Sequence, residues 1–372
     1  MINKVEFRNF KALRDLSLDL ERLTVLVGPN GSGKTSILEG LHCLAEFGCE
    51  EAIEVSPQVR IPLDVRTSGA DGSISLCCLG EEAKKEIIVG ADEVSVSVRG
   101  PGVGGKDLVT YEAYRKGARL TQVKVNGSPL YGPAVLLRLD LNRLAEPSYS
   151  QLPVPKMAPD GHGLASVLEY LASDHPEQFT RIMEALRSVV PIVHDVRFPR
   201  AKIVREETEL IKVDGKEFSR RADREYWGNS IEFDMEGAPR ISAARVSEGT
   251  MLALGLLTTL MGPHRPRLAL LDDLDRALHP KAQESVVILL RRLLEEDPDM
   301  QIVATSHSPY LLHHLEPEEV RLTALREDGS VICGRLDEHP EFEKWREEMT
   351  PGELWSLFGE KWLEGAKAGE QP

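Results

Sequence analysis

The sequence predicts an α/β fold built on a largely parallel sheet with helices on both faces. Two stretches carry this prediction, residues 23–46 and residues 267–306, in which strands and helices alternate. Their strands, LTVLV, RLALLD and QIVATS, are continuous apolar runs, as expected for parallel strands that are buried on both faces. Their helices place leucine, isoleucine and valine at helical spacing, which gives each helix an apolar face for packing on the sheet.

The first half of the chain adds β-structure to this core. Residues 2–27 predict strands, and a helix is expected from Lys34 to about Glu46. Residues 50–142 contain short β-type runs such as SISLCCL and VSVSV, which are separated by glycines. This pattern predicts an antiparallel sheet.

The second half begins with a connection and then returns to regular elements. Residues 148–163 show no periodicity and are rich in proline and glycine, which predicts a long connection. Two helices and several strands follow, with a hairpin turn expected at Asp214-Gly215. A long apolar helix is predicted from Thr250 to Met261.

The overall charge argues against a protein that coats nucleic acid indiscriminately. The net charge is -15 and the pI is about 5.3, whereas such binding depends on lysine and arginine neutralising phosphates. Residues 197–224 contain nine basic residues, but Glu206, Glu207 and Asp214 are interleaved with them. We interpret this stretch as a solvated mixed-charge surface; contact with nucleic acid or a partner is the alternative.

Cysteine usage and hydropathy predict a cytoplasmic protein without a membrane segment. The five cysteines form no C-x-x-C pair and no zinc-ligand spacing, which fits reduced thiols. The opening MINKVEFRNF lacks the apolar run of a signal peptide. The longest nearly unbroken apolar stretch, Met251 to Met261, is too short to span a bilayer.

Residues 28–35, GPNGSGKT, match the phosphate-loop pattern G-x-x-x-x-G-K-[ST] between a strand and a helix. Glycines let the backbone N–H groups point at a β-phosphate, Lys34 reaches the β- and γ-phosphates, and Thr35 ligates magnesium. The pattern predicts a P-loop NTPase that uses ATP and Mg²⁺; a glycine turn that caps a helix is the alternative. The predicted nucleotide-binding residues are Gly28, Pro29, Asn30, Gly31, Ser32, Gly33, Lys34, Thr35 and Ser36.

A nucleotide site of this kind also needs carboxylates at the end of a neighbouring strand. In RLALLDDLDRALHP, Asp272 ends the apolar strand and is the predicted magnesium ligand beside Thr35, while Asp273 is the predicted residue that activates water. His307 follows another apolar strand, where it could contact a γ-phosphate. The alternatives are that the acids cap the next helix and that the histidine is structural.

Together these motifs resemble the ABC-type ATPase heads of the RecF, SMC and OLD group, also classed as AAA family or AAA_21-like predicted ATPases. The resemblance is carried by the opening VEFRNFKALRDLSLDLERLTVLVGPNGSGKTSILEGL, by SEGT at residues 247–250, by LLDDLDRALHP, by TSHSP and by MTPGELWSLFGEKWL. It implies an ABC-type head with an antiparallel β subdomain and a mixed α+β insertion.

The resemblance also implies a dimer in which two heads sandwich ATP. Ser247 and Gly249 would contact the γ-phosphate of a nucleotide held by the other subunit, while Lys34, Asp273 and His307 would be catalytic. An ordinary helix N-cap is the alternative role of Ser247. The implied partners are a second copy of the chain and either DNA or a separately encoded nuclease-like effector, in DNA repair or antiphage defence.

Three departures from this family limit the prediction. The family usually has glutamate where this chain has Asp273, so slow hydrolysis is expected. No sustained heptads occur, which argues against long coiled-coil arms. We expect no TOPRIM nuclease domain, since Asp337, Glu338 and Glu341 after His307 are too few and poorly spaced to form one.

We predict four segments along the chain. They are an N-terminal ATPase part at 1–47, a β-rich and then mixed insertion at 48–240, a C-terminal ATPase part at 241–335 and a helical tail at 336–372.

An ATP-hydrolysing switch is the function that this pattern favours. The alternative is an ATP-binding scaffold with little turnover; a transporter subunit fits less well because SEGT is not a complete LSGGQ signature. Gln58 is a candidate glutamine-loop residue that senses magnesium. Lys11 is either a residue near the nucleotide or an ordinary surface lysine.

Overall fold

The computed structural model describes residues 1–46, 74–80, 84–89, 93–99, 110–116, 119–120, 133–213 and 216–366. Its strands are β1 Ile2–Phe10, β2 Leu13–Asp19, β3 Leu23–Val27, β4 Ile74–Gly80, β5 Lys84–Val89, β6 Glu93–Arg99, β7 Thr110–Lys116, β8 Arg119–Leu120, β9 Ala134–Leu137, β10 Val193–Arg197, β11 Arg200–Val213, β12 Lys216–Asn229, β13 Glu232–Met235, β14 Ala238–Ser242, β15 Leu268–Leu271, β16 Gln301–Ser306, β17 Val320–Leu325 and β18 Val331–Arg335. Its α-helices are α1 Lys34–Glu46, α2 Leu141–Ala145, α3 Leu164–Asp174, α4 Pro176–Val189, α5 Glu248–Met261, α6 Pro280–Glu296, α7 Pro309–Leu312, α8 Phe342–Trp345, α9 Pro351–Phe358 and α10 Trp362–Ala366.

The chain divides into two compact units. The first unit combines residues 1–136 with residues 266–372, and the second unit contains residues 137–265. The four predicted segments remain predictions. The first unit contains residues 1–47 and residues 266–335 of the two predicted ATPase parts, whereas residues 241–265 of the C-terminal part lie in the second unit.

The six-stranded sheet of the first unit confirms the α/β fold class. Its strand order is β18-β17-β3-β16-β15-β9. The strands β15, β16, β3 and β17 are parallel, whereas β18 runs antiparallel to β17 at the edge. Every residue of β3, β15 and β16 is buried, which accounts for their unbroken apolar sequences. The strands β17 and β18 are additions that the sequence analysis did not anticipate.

The second sheet of the first unit is antiparallel, with the order β2-β1-β4-β5-β6-β7-β8. Helix α1 packs between the two sheets: Ile37 and Leu41 share one buried cluster with Phe7 of β1 and Val303 of β16. A Cβ on Gly40 would lie 2.5 Å from the Phe7 ring, so glycine allows the close approach of helix and strand. The helix that carries the phosphate loop is therefore held on both sides.

The second unit combines helices with two small sheets. The strands β10, β13 and β14 form a three-stranded antiparallel sheet, and β11 pairs with β12 in a long hairpin. Of the several strands predicted in this region, β11 runs without interruption over residues 200–213. The register pairs Val213 with Lys216; the predicted turn at Asp214-Gly215 lies outside the described residues.

The apolar helix predicted from Thr250 is α5, which begins two residues earlier at Glu248 and is almost entirely buried. It lies beside α4 within the second unit. Burial against protein explains its composition, because it is hydrophobic on nearly all sides. Within the described ranges, no helix has the length and apolar character needed to cross a membrane.

Gln301 ties the start of the chain to the central sheet. Its side chain, 3% exposed, accepts a hydrogen bond from the Ile2 N–H (2.9 Å) and donates to the carbonyl oxygens of Ile2 (2.8 Å) and Glu21 (3.0 Å). These bonds satisfy backbone groups that would otherwise be buried without partners.

We predict that Gln301→Leu lowers the free energy of unfolding by about 2–4 kcal/mol, because buried backbone groups at Ile2 lose their partners. Urea titration measures this effect. Gln151→Leu, at an exposed position, is the control and should change stability little. Equal unfolding midpoints for the two variants would contradict the role given to Gln301.

Candidate nucleotide-binding site

The loop between β3 and α1 has a backbone that only glycine adopts readily. Gly28, Gly31 and Gly33 have φ angles of 145°, 79° and 89°. A Cβ on Gly28 would lie 2.1 Å from the carbonyl oxygen of Thr323, and a Cβ on Gly33 would lie 2.5 Å from a methyl group of Val331. Both conformation and space therefore require glycine at Gly28 and Gly33.

The side chain of Thr323 on β17 supports this loop through hydrogen bonds. Its hydroxyl donates to the carbonyl oxygen of Val27 (2.9 Å) and lies 2.6 Å from the hydroxyl of Ser32. Since the Thr323 proton is used on Val27, Ser32 donates to Thr323. Ser32 belongs to the phosphate-loop motif, whereas no sequence pattern indicates Thr323, which lies 291 positions further along the chain.

Lys34, at the first position of α1, is held by the loop. The residue is 6% exposed, and its Nζ donates to the carbonyl oxygens of Gly28 and Pro29, both at 2.9 Å. Burial lowers the pKa of Lys34, while the negative charges of Asp273, Asp272, Glu360 and Asp275 act in the opposite direction. A phosphate would provide the buried ammonium with a partner of opposite charge.

The structure brings together the two predicted magnesium ligands. The Thr35 hydroxyl donates to Oδ1 of Asp272 (3.2 Å), and the hydroxyl of Thr305 donates to the same oxygen (2.9 Å). Hydroxyl and carboxylate oxygens are hard ligands of the kind that suit Mg²⁺. Thr35 and Asp272 therefore fit the ion that the sequence predicted.

Asp273 and His307 lie side by side just beyond the carboxyl ends of β15 and β16, at the edge of the parallel sheet where the phosphate loop follows β3. Asp273 Oδ1 is 3.9 Å from His307 Nε2, and the side chains are 54% and 39% exposed. Asp273 has a φ of 55°, a left-handed conformation that Asp and Asn adopt more easily than Glu. The backbone thus gives a physical reason for aspartate at this position. The His307 N–H donates to Asp275 (3.1 Å), which fixes the histidine loop.

The other predicted residues have simpler settings. Ser36 lies in the first turn of α1, and Pro29 and Asn30 are exposed in the loop. Lys11 forms an ion pair with Glu39 of α1. Gln58 lies outside the described residues.

Ser247 and Gly249 belong to the second unit. Ser247 is the N-cap of α5: its hydroxyl accepts from the Thr250 N–H (3.3 Å) and lies 2.7 Å from the Thr250 hydroxyl. Gly249 is buried in the first turn of that helix. The N-cap role proposed as an alternative for Ser247 is present, and it is compatible with an N-terminus that binds phosphate.

Two family models match this chain. Residues 110–313 match the family described as "AAA domain, putative AbiEii toxin, Type IV TA system", and residues 1–88 match "AAA ATPase domain". The first match covers more than half of the chain. The chain belongs to this AAA family.

Curated relatives match over short segments. The chain is 35% identical over 69 residues to the Septu protein PtuA of Bacillus thuringiensis. This match covers 18% of this chain and 17% of PtuA. The chain is also 46% identical over 41 residues to the OLD nuclease of Thermus scotoductus. This match covers 11% of this chain and 8% of that nuclease. The chain thus spans less than a fifth of these relatives.

A solved SMC head bound to the C-winged helix domain of ScpA also matches this structure. The match covers 91% of this chain and 98% of the SMC head chain, with 15% identity and a TM-score of 0.49. The family matches and the relatives confirm the predicted ABC-type ATPase head of the RecF, SMC and OLD group. The phosphate loop and the parallel sheet of the AAA protein agree with this assignment.

We predict that Gly28→Ala is more harmful than Gly31→Ala. Both glycines have positive φ, which costs an alanine about 1–3 kcal/mol, but a Cβ on Gly31 meets nothing within 4 Å whereas one on Gly28 meets the backbone of Thr323. Thermal unfolding and ATP titration measure the difference. If the two variants lose equal stability and bind ATP equally, the close approach at Gly28 has no importance.

Proposed function

We propose that this AAA protein is a magnesium-dependent ATPase that acts as a dimerising switch. The observation that carries the proposal is the convergence of Lys34, Thr35, Asp272, Asp273 and His307 at one edge of the parallel sheet in the first unit. This arrangement combines a cationic phosphate site, oxygen ligands for Mg²⁺ and an exposed carboxylate beside them.

Each residue has a defined role in the proposed reaction. Lys34 and the N–H groups at the start of α1 bind the phosphates, which the helix N-terminus also attracts. Thr35 and Asp272 would hold Mg²⁺, and the bound ion would supply charge neutralisation at the phosphates. Asp273 accepts a proton from the attacking water, and His307 beside it contacts the γ-phosphate.

The dimer is the part of the proposal that uses the second unit. ATP bound by one copy would contact Ser247 and Gly249 of another copy, where the start of α5 offers N–H groups to the γ-phosphate. Hydrolysis would then separate the two copies. The likeness to the Septu protein PtuA and to an OLD nuclease supports an output through DNA or a separately encoded nuclease-like effector, in antiphage defence or DNA repair.

A second candidate is an ATP-binding scaffold with little turnover. It is favoured by the shorter carboxylate of Asp273, which takes the place of the usual glutamate and rests on a turn with left-handed backbone. A carboxylate set back by one methylene has to draw the attacking water closer. The measured rate of ATP hydrolysis separates this candidate from the switch.

We predict that Lys34→Ala weakens ATP binding roughly 10- to 100-fold, because it removes a charge-assisted hydrogen bond to phosphate. Titration with a fluorescent ATP analogue measures the affinity. Lys4→Ala, which removes a half-exposed lysine paired with Glu6, is the control and should bind as the wild type does. Wild-type affinity in Lys34→Ala would remove the phosphate loop from the proposed site.

We predict that Asp273→Asn keeps the fold and lowers kcat by about 10²- to 10⁴-fold, the usual contribution of a general base. Asparagine has the same shape and also tolerates a left-handed φ. Mass in solution with ATP and Mg²⁺ should show a dimer that persists in the variant and dissociates in the wild type. A monomer in both proteins would contradict the dimerising switch.

A further inference from the structure

Thr305 of β16 lies between the two acidic residues of the site. It is completely buried, and its hydroxyl makes two hydrogen bonds in opposite directions. The hydroxyl donates to Oδ1 of Asp272 (2.9 Å) and accepts from the backbone N–H of Asp273 (2.8 Å). The carbonyl oxygen of Thr305 accepts from the N–H of Leu274 (2.9 Å). Three consecutive residues are therefore held by one threonine.

Only a hydroxyl can make this pair of bonds in so little space, because it is both a donor and an acceptor. Threonine also suits a strand, where β-branching restricts its rotamer and so fixes the direction of the hydroxyl. Valine has the same shape but offers neither bond. The residue type at position 305 therefore determines whether the Asp272 carboxylate and the turn at Asp273 have a common support.

The support at Asp272 affects the cation site. Its Oδ1 accepts hydrogen bonds from the hydroxyl groups of both Thr35 and Thr305. Without the Thr305 bond, the carboxylate can rotate away from the position in which Thr35 and Asp272 face each other. Hydrogen bonds that orient a metal-binding group commonly change metal affinity or activity by 10- to 100-fold.

The support at Asp273 affects the water-activating carboxylate. Asp273, with its left-handed φ, lies in the turn after β15. In this turn the Arg276 N–H donates to the Asp273 carbonyl oxygen (3.0 Å). The bond from the Asp273 N–H to Thr305 anchors this turn to the strand that leads to His307. One hydroxyl thus links the metal ligand, the water-activating residue and the histidine loop.

We propose that Thr305 is a positioning residue that sets both the magnesium dependence and the rate of the reaction. This inference rests on the proposed ATPase function. Thr305 acts through Asp272 and Asp273. Its removal should therefore leave the phosphate loop, and with it the magnesium-independent part of ATP binding, intact.

The test compares Thr305→Val and Thr305→Ser with Thr24→Val. Thr24 is a suitable control because it is also completely buried, lies on the adjacent strand β3 and bonds through its hydroxyl to the backbone of Glu21. It lies at the opposite end of its strand from the site. Thr24→Val therefore reports the structural cost of losing a buried threonine hydroxyl in the same sheet.

Two readouts are needed: ATP affinity as a function of Mg²⁺ concentration, and kcat at saturating ATP. For Thr305→Val we expect unchanged ATP affinity in EDTA, a Mg²⁺ midpoint raised by about 10-fold or more and a kcat lowered by a similar factor. Thr305→Ser should restore both values. Thr24→Val should leave both at the wild-type level.

The inference fails if Thr305→Val keeps the wild-type Mg²⁺ midpoint and kcat and, like Thr24→Val, changes only the melting temperature. If the wild type binds ATP without turnover, the Mg²⁺ midpoint alone decides the role of Thr305. Failure of the proposed function looks different. In that case the wild type binds no ATP, or Lys34→Ala binds it equally well, and the inference falls with the proposed function.

Discussion

The register of the parallel strands β3, β16 and β15 is the constraint on which the site in the first unit depends. Val27 pairs with Ser306, and Leu271 pairs with Ala304, so the three strands end at one edge of the sheet. The phosphate loop, the two acids and the histidine loop all leave the sheet there. Because side chains alternate along a strand, a slip of one residue would turn the Thr305 hydroxyl away from Asp272. Burial of every residue in the three strands stabilises the sheet that contains this edge.

The same edge concentrates charges that are balanced only in part. Burial lowers the pKa of Lys34, and the surrounding acids, among them Glu360 near the C-terminus, act against that effect. The lysine rests on two carbonyl oxygens, which stabilise an ammonium less than a phosphate does. Phosphate binding therefore gains from a partner that the folded protein has already desolvated and positioned. Backbone conformation adds a second form of preorganisation, since glycines and Asp273 hold the positive φ angles that the loop and the turn require.

The sequence predicted what depends on local spacing. The phosphate loop, the start of α1 at Lys34 and the buried strands follow from short patterns, and the structure has them. The sequence did not reveal the roles of Thr305 and Thr323, because threonine is common in strands and its hydrogen-bond partner depends on pairing across distant parts of the chain. Nor did it reveal the left-handed φ of Asp273, which makes the departure from glutamate understandable. The strands β17 and β18 were missed as well, although they support the loop through Thr323 and Val331.

Phosphate release from ATP by the wild-type protein, followed with Mg²⁺ and with EDTA, tests most directly that this sheet edge is a catalytic site. The geometry of Thr35, Asp272 and Asp273 predicts release that requires Mg²⁺ and saturates with ATP. Release at the same rate in EDTA would contradict the metal site. Absence of release under both conditions, with ATP still bound, would contradict catalysis and leave the scaffold as the function of the chain.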